Sequence, residues 1–314
     1  MNHIFSIMVG WESVEIKGPE AKDFLQRLTS ADFRVLKPGS FNTGMLLQPT
    51  GKIIAYFKTL CLESANYLLL VPTDQSGNPP SQQLQDSFEK MHFREDLTIR
   101  PLGKEWIYLR VLGSDEQKLG FLKEAALGAE KTFLSLQEGR LLAMNEKRWS
   151  ASPLKYDIGI GVKATDLRNI IEMLKIAGFQ QKSDLEPYRV RAGDPGVPAE
   201  VGPGILPLEA QLDDAVHENK GCYPGQEVIE RIRSMGQVPR KLALLGGKNQ
   251  PPEVPAPIFS NGTEAGVLTS AQLDPFADGW VGLGFIKRIY ANLKAPYLIG
   301  NETITVRFKN PDKI

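Results

Sequence analysis

HENKGCYPGQEVIERIRS, running from His217 to Ser234, is the densest cluster of chemically unusual residues in the chain. Pro224 and Gly225 mark the start of a helix that carries Glu227, Val228 and Ile232. Cys222 falls just before that start. A thiol beside exposed helix N–H groups, with Lys220 close in sequence, has its thiolate favoured, which points to a nucleophilic or redox-responsive group. Cysteine is also a common small core residue. The polar company of Lys220, Tyr223, Gln226 and Glu227 weighs toward chemistry. His217 stands five residues before Cys222, but sequence spacing alone does not make a Cys-His pair. Lys220, Glu227 and Arg231 equally suit a structural ion network that fixes the loop. Cys61, inside the run Lys58-Thr-Leu-Cys-Leu, reads as core.

Downstream of Gln237 the composition shifts. Gly246 to Pro257 is proline-rich, and short strand-like runs follow at Ala265 to Ser270, Trp280 to Ile286, Pro296 to Ile299 and Thr303 to Phe308. These predict a small all-β domain, residues 240–314, appended to an α+β body, residues 1–239. Upstream, Phe24, Leu25 and Leu28 share one face of a helix announced by Pro19. A strand meander covers Phe41 to Leu47, Ile53 to Leu62 and Tyr67 to Val71. Helices are expected at Gln82 to Met91 and around Glu116 to Ala126. Gly159-Ile-Gly161-Val-Lys-Ala164 fits GxGxxA, with Asp184 about 20 residues on, as a dinucleotide site requires. Pro153, Lys155 and Asp157 crowd the preceding stretch, however, and Ile158, Ile160 and Val162 alternate as in a half-buried strand. The reading is therefore strand, cap and a helix from Asp166 to Ala177 ending at Gly178, with Asp184 capping the next helix.

The 314 residues hold 37 Lys+Arg, 37 Asp+Glu, 3 His and 2 Cys, for zero formal net charge. Balanced charge argues against a dedicated nucleic-acid binder. From Phe285 to Ile314 the basic residues Lys287, Arg288, Lys294, Arg307, Lys309 and Lys313 outnumber Glu302 and Asp312, an excess that a solvated barrel face explains. So few His and Cys, with no CxxC or HExxH, predict no metal site built from those side chains. No signal peptide or apolar span is recognisable, which predicts a cytoplasmic protein without membrane association.

KGCYPGQE, Lys220 to Glu227, followed by Arg231, resembles the signature of the YgfZ-type folate-binding proteins, relatives of the glycine-cleavage T-protein, an aminomethyltransferase. The matching loop residues are Lys220, Gly221, Cys222, Tyr223, Gly225, Gln226, Glu227 and Arg231. The segment DFLQRLTSADFRVLKPGSFNTGMLLQPTGKI resembles the family's opening helix, turn and hairpin. RVRAGDPGVPAE and LPLEAQL resemble successive T-protein segments, and GVLTS (Gly266 to Ser270) and GLGFI (Gly282 to Ile286) resemble strands of its barrel. The resemblance spans nearly the whole chain and implies interleaved α+β subdomains around a central folate channel, closed by a small C-terminal β-barrel. It implies tetrahydrofolate or a one-carbon derivative as cofactor, with Glu200 in register with the glutamate that holds the pterin. A carboxylate suits the paired ring N–H and amino donors of a pterin. Where the T-protein carries an acidic pair, this strand reads Gly51-Lys-Ile-Ile-Ala-Tyr56, so aminomethyl transfer is doubtful. The role implied is an accessory one, with iron-sulfur enzymes or cluster-assembly proteins as partners, including enzymes that modify tRNA, and with Cys222 acting near the channel mouth. The alternatives are a folate-dependent one-carbon transferase and a thiol enzyme with a vestigial folate cavity.

Overall fold

The computed structural model describes residues 3–73, 80–115, 122, 133–136, 141–145, 154–291 and 295–308. Apart from Leu122, the helix expected at Glu116 to Ala126 lies outside them, as do Lys294, Lys309, Asp312 and Lys313. The chain forms two antiparallel-rich sheets and a closed barrel. The first sheet contains β1 (Ile4–Ile7), β7 (Trp106–Gly113), β8 (Phe133–Leu136), β9 (Leu141–Asn145), β10 (Tyr156–Lys163) and β11 (Gln180–Gln181), in the order β11-β1-β7-β10-β9-β8. The second contains β2 (Trp11–Lys17), β3 (Phe41–Leu47), β4 (Ile53–Glu63), β5 (Asn66–Pro72) and β6 (Thr98–Gly103), in the order β3-β4-β5-β2-β6. The chain thus leaves the first sheet after β1, builds the second, and returns to the first at β7.

Helices close the outer faces. Buried Ala21, Phe24, Leu25 and Leu28 give α1 (Ala21–Leu28) an apolar stripe that packs on the second sheet with Leu84 and Phe88 of α2 (Pro80–Glu89). α1 begins two residues after Pro19, because Gly18 and Ala21 close a turn ahead of it (N···O 3.0 Å). On the first sheet, Ile170 and Leu174 of α3 (Leu167–Ile176) are buried against Phe5, Val111 and Ile160. α3 follows the GxGxxA segment as expected. That segment lies in β10, which is antiparallel to both β7 and β9, so the parallel strand a dinucleotide fingerprint needs is absent here. Asp184 accepts the N–H of Glu186 at 2.7 Å and so opens α4 (Glu186–Arg191).

After α5 (Gln226–Met235) comes the barrel: β12 (Arg240–Gly247), β13 (Ala256–Ser260), β14 (Thr263–Leu273), β15 (Trp280–Lys287), β16 (Tyr297–Ile299) and β17 (Glu302–Phe308), with the one-turn α6 (Arg288–Ala291) after β15. Its strands order as β12-β15-β14-β13-β16-β17. One face of the barrel shares a core with the body. Leu242, Leu244, Leu283 and Phe285 pack in one cluster with Met45, Leu47, Val190, Val201 and Ile229. Each such fully buried leucine or valine stabilises the join by roughly 1.5–3 kcal/mol. Sheets, α4 and barrel therefore converge on one central region. No helix among the described residues is long and apolar enough to cross a membrane.

Candidate functional site

A cavity of about 160 Å³ opens where the two sheets meet α4. Met8, just past β1, and Tyr108 and Arg110 of β7 reach it from one side, Trp11, Tyr56 and Lys58 from the second sheet, and Arg189 from α4. Glu186, Pro72, Thr73 and the segment from Asp194 to Val197 complete the lining along with Val9. The Trp11 and Tyr108 rings meet with centroids 4.5 Å apart and planes tilted 37°. The Lys58 ammonium stands 6.0 Å over the Trp11 ring. Aromatic walls with a few convergent cations suit a flat, electron-rich ring system that bears a negative tail.

The two arginines here are already paired. Arg110 is buried and binds both oxygens of Asp157 and Oδ2 of Asp194, the latter at 2.9 Å. Burial works against its charge, but Asp157 and Asp194 outweigh that and hold it protonated, well above its ordinary value. Arg189 donates Nε and Nη2 to Glu186, Nη1 to the carbonyl of Asp194 and Nη1 to Glu200. Here too burial opposes the charge and the carboxylates outweigh it.

Two smaller spaces adjoin the first. One of about 40 Å³ shares Asp194 and Pro195 with it and is also lined by Thr43, Gln211 and Leu242. The other, about 80 Å³, shares Tyr56, Pro72 and Val197 with it and is lined by Ile53, Ala55, Leu84 and Val201.

Glu200 sits behind the cavity and is fully buried. Its Oε2 accepts Gly196 N–H at 2.9 Å and Arg189 Nη1 at 3.2 Å, and its Oε1 accepts the hydroxyls of Thr269 and Ser270, the latter at 2.7 Å. Thr269 and Ser270 are sequence neighbours on a strand, which would normally point them to opposite faces. A register shift between Leu268 and Ser270 breaks the alternation and lets both hydroxyls reach one carboxylate. Gly196 is dictated by space, since a Cβ there would lie 2.7 Å from the Arg189 guanidinium carbon. Four protein donors thus occupy the carboxylate that the family resemblance assigns to the pterin. A ligand would reach it only by displacing them.

The signature loop stands elsewhere. Lys220 turns inward and is buried, its ammonium donating to the carbonyls of Gln26 and Thr29 at the C-terminal end of α1, where a cation complements the helix dipole. Gln26 in turn donates to the Lys220 carbonyl. Burial pulls the Lys220 ammonium down to about 8. Its charge also lies 5.0 Å over the ring of Tyr223, whose buried hydroxyl has no partner among the described residues and is pushed up to about 12 by burial. Arg34 clamps Asp32, holding that carboxyl below its ordinary value, and donates to the carbonyl of Asn219. His217 faces Asp32 at 3.9 Å. Gly225 caps α5 with φ +82°, and a Cβ there would lie 2.5 Å from the Gln48 carbonyl oxygen and 2.9 Å from Gly51 Cα. The loop is thereby wedged against the β3–β4 turn.

Cys222 is exposed on this clamped backbone. Lys220, expected beside the thiol, points its ammonium at backbone carbonyls instead. Glu227 and Arg231 are exposed on α5 and join no ion pair among the described residues, so the network expected of Lys220, Glu227 and Arg231 is replaced by one of Lys220, Gln26, Asp32 and Arg34. Gly221 adopts φ +93°, and Gln226 opens α5 with its N–H on the Tyr223 carbonyl. Neither Glu200 nor Cys222 is among the described residues that line the three cavities. Cys61 is buried, donates to the Glu63 carbonyl and has its thiol pushed up by burial. Among the described residues no group of three or more His, Cys, Asp or Glu side chains could hold a metal. The sequence reading names none of Trp11, Lys58, Tyr108 and Arg110 as site residues. The available signal is a buried cation inside an apolar strand, Lys58 in β4 and Arg110 in β7.

No family model matches the sequence. An aminomethyltransferase of Listeria welshimeri is 21% identical over 94% of this chain and 81% of its own length, and one of Natranaerobius thermophilus is 24% identical over 87% and 75%. A chloroplastic Arabidopsis thaliana protein whose transferase name is provisional is 22% identical over 92% of this chain, which spans 66% of that protein. The crystal structure of the glycine cleavage system aminomethyltransferase T of Bartonella henselae superposes with a TM-score of 0.81, 18% identity, and coverage of 99% of this chain and 86% of that one. The fold is that of the T-protein: α+β subdomains closed by a small C-terminal β-barrel.

Proposed function

We propose that the central cavity takes tetrahydrofolate or a one-carbon derivative, and that the protein serves iron-sulfur enzymes or their assembly partners as an accessory rather than transferring aminomethyl groups. The residues fit such a ligand. Trp11, Tyr56 and Tyr108 offer faces for a pterin or aminobenzoyl ring, and Lys58 offers a cation to a carboxylate tail. When bound, the folate would supply a one-carbon carrier. The chain's own residues would orient it and exclude water. Glu200 enters this reading in two forms: as a pterin acceptor if the Thr269 and Ser270 hydroxyls give way, or as the buried tie that holds Gly196 and Arg189 at the cavity wall.

The observation that carries the accessory reading is the strand Ile53 to Tyr56. It lines the space beside the ring chamber with no carboxylate, and the chamber's own Glu186 and Asp194 are each bound to arginine. Among the described residues that line the two spaces, every carboxylate is thus committed to an arginine. Cys222, exposed on a rigid loop, would act by thiol exchange or transient cluster contact. Transfer of a one-carbon unit is the second reading, favoured by the aminomethyltransferase names of the relatives.

Titration with tetrahydrofolate, followed by calorimetry and intrinsic tryptophan fluorescence, tests the cavity: saturable binding is expected, and its absence removes the folate claim. Assays with aminomethyl and N-methyl donors test the role, since turnover would replace the accessory reading by the transferase one. Cells carrying Cys222→Ala should lose iron-sulfur enzyme activity while the purified variant still binds folate.

A further inference from the structure

The 80 Å³ space beside the central cavity differs from it in the charge of its described lining. The central cavity draws on Lys58, Arg110, Glu186, Arg189 and Asp194, whereas the described residues that line its neighbour include no lysine, arginine, histidine or carboxylate. Its walls are Ile53, Ala55, Leu84, Val201 and Pro203, with Tyr56 standing between the two. Of the polar groups at its edge, the Ser87 hydroxyl donates to the Gln83 carbonyl at 2.8 Å, and the Ile53 N–H to the Ile205 carbonyl at 3.0 Å. Glu12 approaches at Pro80 but is not a lining residue, because its carboxylate takes the N–H and hydroxyl of Ser81. The volume exceeds severalfold the roughly 10–15 Å³ that one water requires.

We infer that this second chamber is a ligand subsite for a small, uncharged, mainly apolar group, partitioned from the charged chamber by Tyr56. The inference rests on the folate reading only for what fills the neighbouring cavity. A charged ligand entering the chamber would shed its hydration and meet no counter-charge among the described lining residues, whereas an uncharged one of the same shape exchanges water for Ile53, Leu84 and Val201. Charge is therefore the property on which the chamber selects.

The test uses three isosteric probes, tert-butanol, tert-butylammonium and pivalate, titrated against full-length protein while the methyl NMR signals of Ile53, Leu84 and Val201 are followed. Saturable shifts with tert-butanol are expected, with affinity at least tenfold above that of either ion. Ser87→Leu, which fills the chamber from α2, should abolish those shifts and leave tetrahydrofolate affinity within about twofold. Absence of saturable shifts in the wild type, equal affinity for a charged probe, or full binding to folded Ser87→Leu would each overturn the inference. Failure of tetrahydrofolate to bind while tert-butanol still saturates these methyls would overturn the folate reading and leave the subsite standing. Folate binding without probe binding would do the reverse.

Discussion

Glu200 and Cys222 were singled out by the same family resemblance, yet the structure surrounds them in opposite ways. Every acceptor position of Glu200 is taken by protein, and the side chain sees no solvent. At Cys222 the backbone is pinned on both sides, by Lys220 and by Gly225, while the thiol faces outward. A buried, saturated carboxylate contributes by holding other groups in place, and its loss is read in stability. An exposed side chain on a fixed backbone contributes what it does to other molecules, and its loss is read in function. Resemblance marks both residues as important, and only their surroundings separate the two kinds of importance.

The largest effect expected is that of Glu200→Ala, which leaves the Arg189 guanidinium buried without one of its partners. Urea unfolding should show a loss of about 3–5 kcal/mol. Glu200→Gln sharpens the contrast. If the residue is a tie, the variant loses stability and folate affinity together. If it is a pterin ligand, affinity falls while stability holds. Next comes Gly225→Ala, which forces a Cβ against the Gln48 carbonyl in a left-handed conformation and should cost about 2–3 kcal/mol. A near-neutral result would mean that the loop is not wedged.

Lys220 gives the comparison a pH axis. Below about pH 8 the amine is protonated in folded and unfolded chains alike, and above its ordinary value of 10.5 it is neutral in both. Between the two the unfolded chain binds the extra proton, so this residue makes stability rise with pH across that window. In Lys220→Met the rise should flatten relative to wild type, as measured by denaturation at pH 7.5, 9 and 10.5. The smallest effect on stability belongs to Cys222→Ser, expected within about 0.5 kcal/mol of wild type. Native-state alkylation should nevertheless modify Cys222 at least 100-fold faster than buried Cys61, by the roughly thousandfold and greater rarity of open states in a stable domain. Equal rates would erase the distinction between the two thiols.

Local signals carried much of the fold into view. The apolar stripe of α1, the strands at Phe41 to Leu47 and Tyr67 to Val71, and the strand-to-helix reading of the GxGxxA segment all follow from periodicity and turn residues, which act over a few positions. The site was less legible because it is made by convergence. Trp11, Lys58 and Arg110 come from strands of two sheets that the chain interleaves, and nothing near Arg110 announces Asp194. The Thr269–Ser270 pair was hidden for another reason: alternation puts only one of them on a given face, and the register shift that overrides it is set by pairing with β15. Lys220 misled because nearness in sequence to Cys222 suggested a shared pocket, whereas the buried C-terminal carbonyls of α1 are the stronger attraction for an ammonium.

The contact between Gly225 and the Gly51 turn also bears on how such a sequence can drift. A Cβ on Gly225 would strike Gly51 and Gln48, and one on Gly51 would come within 3.2 Å of Val228 in the same helix that Gly225 begins. The clash at Gly225 is with backbone atoms, which no second substitution removes, whereas the crowding at Gly51 is with the Val228 and Leu206 side chains, which smaller residues would relieve. Descendants that keep this loop must keep Gly225, while Gly51 is held mainly by its left-handed backbone, φ +78°.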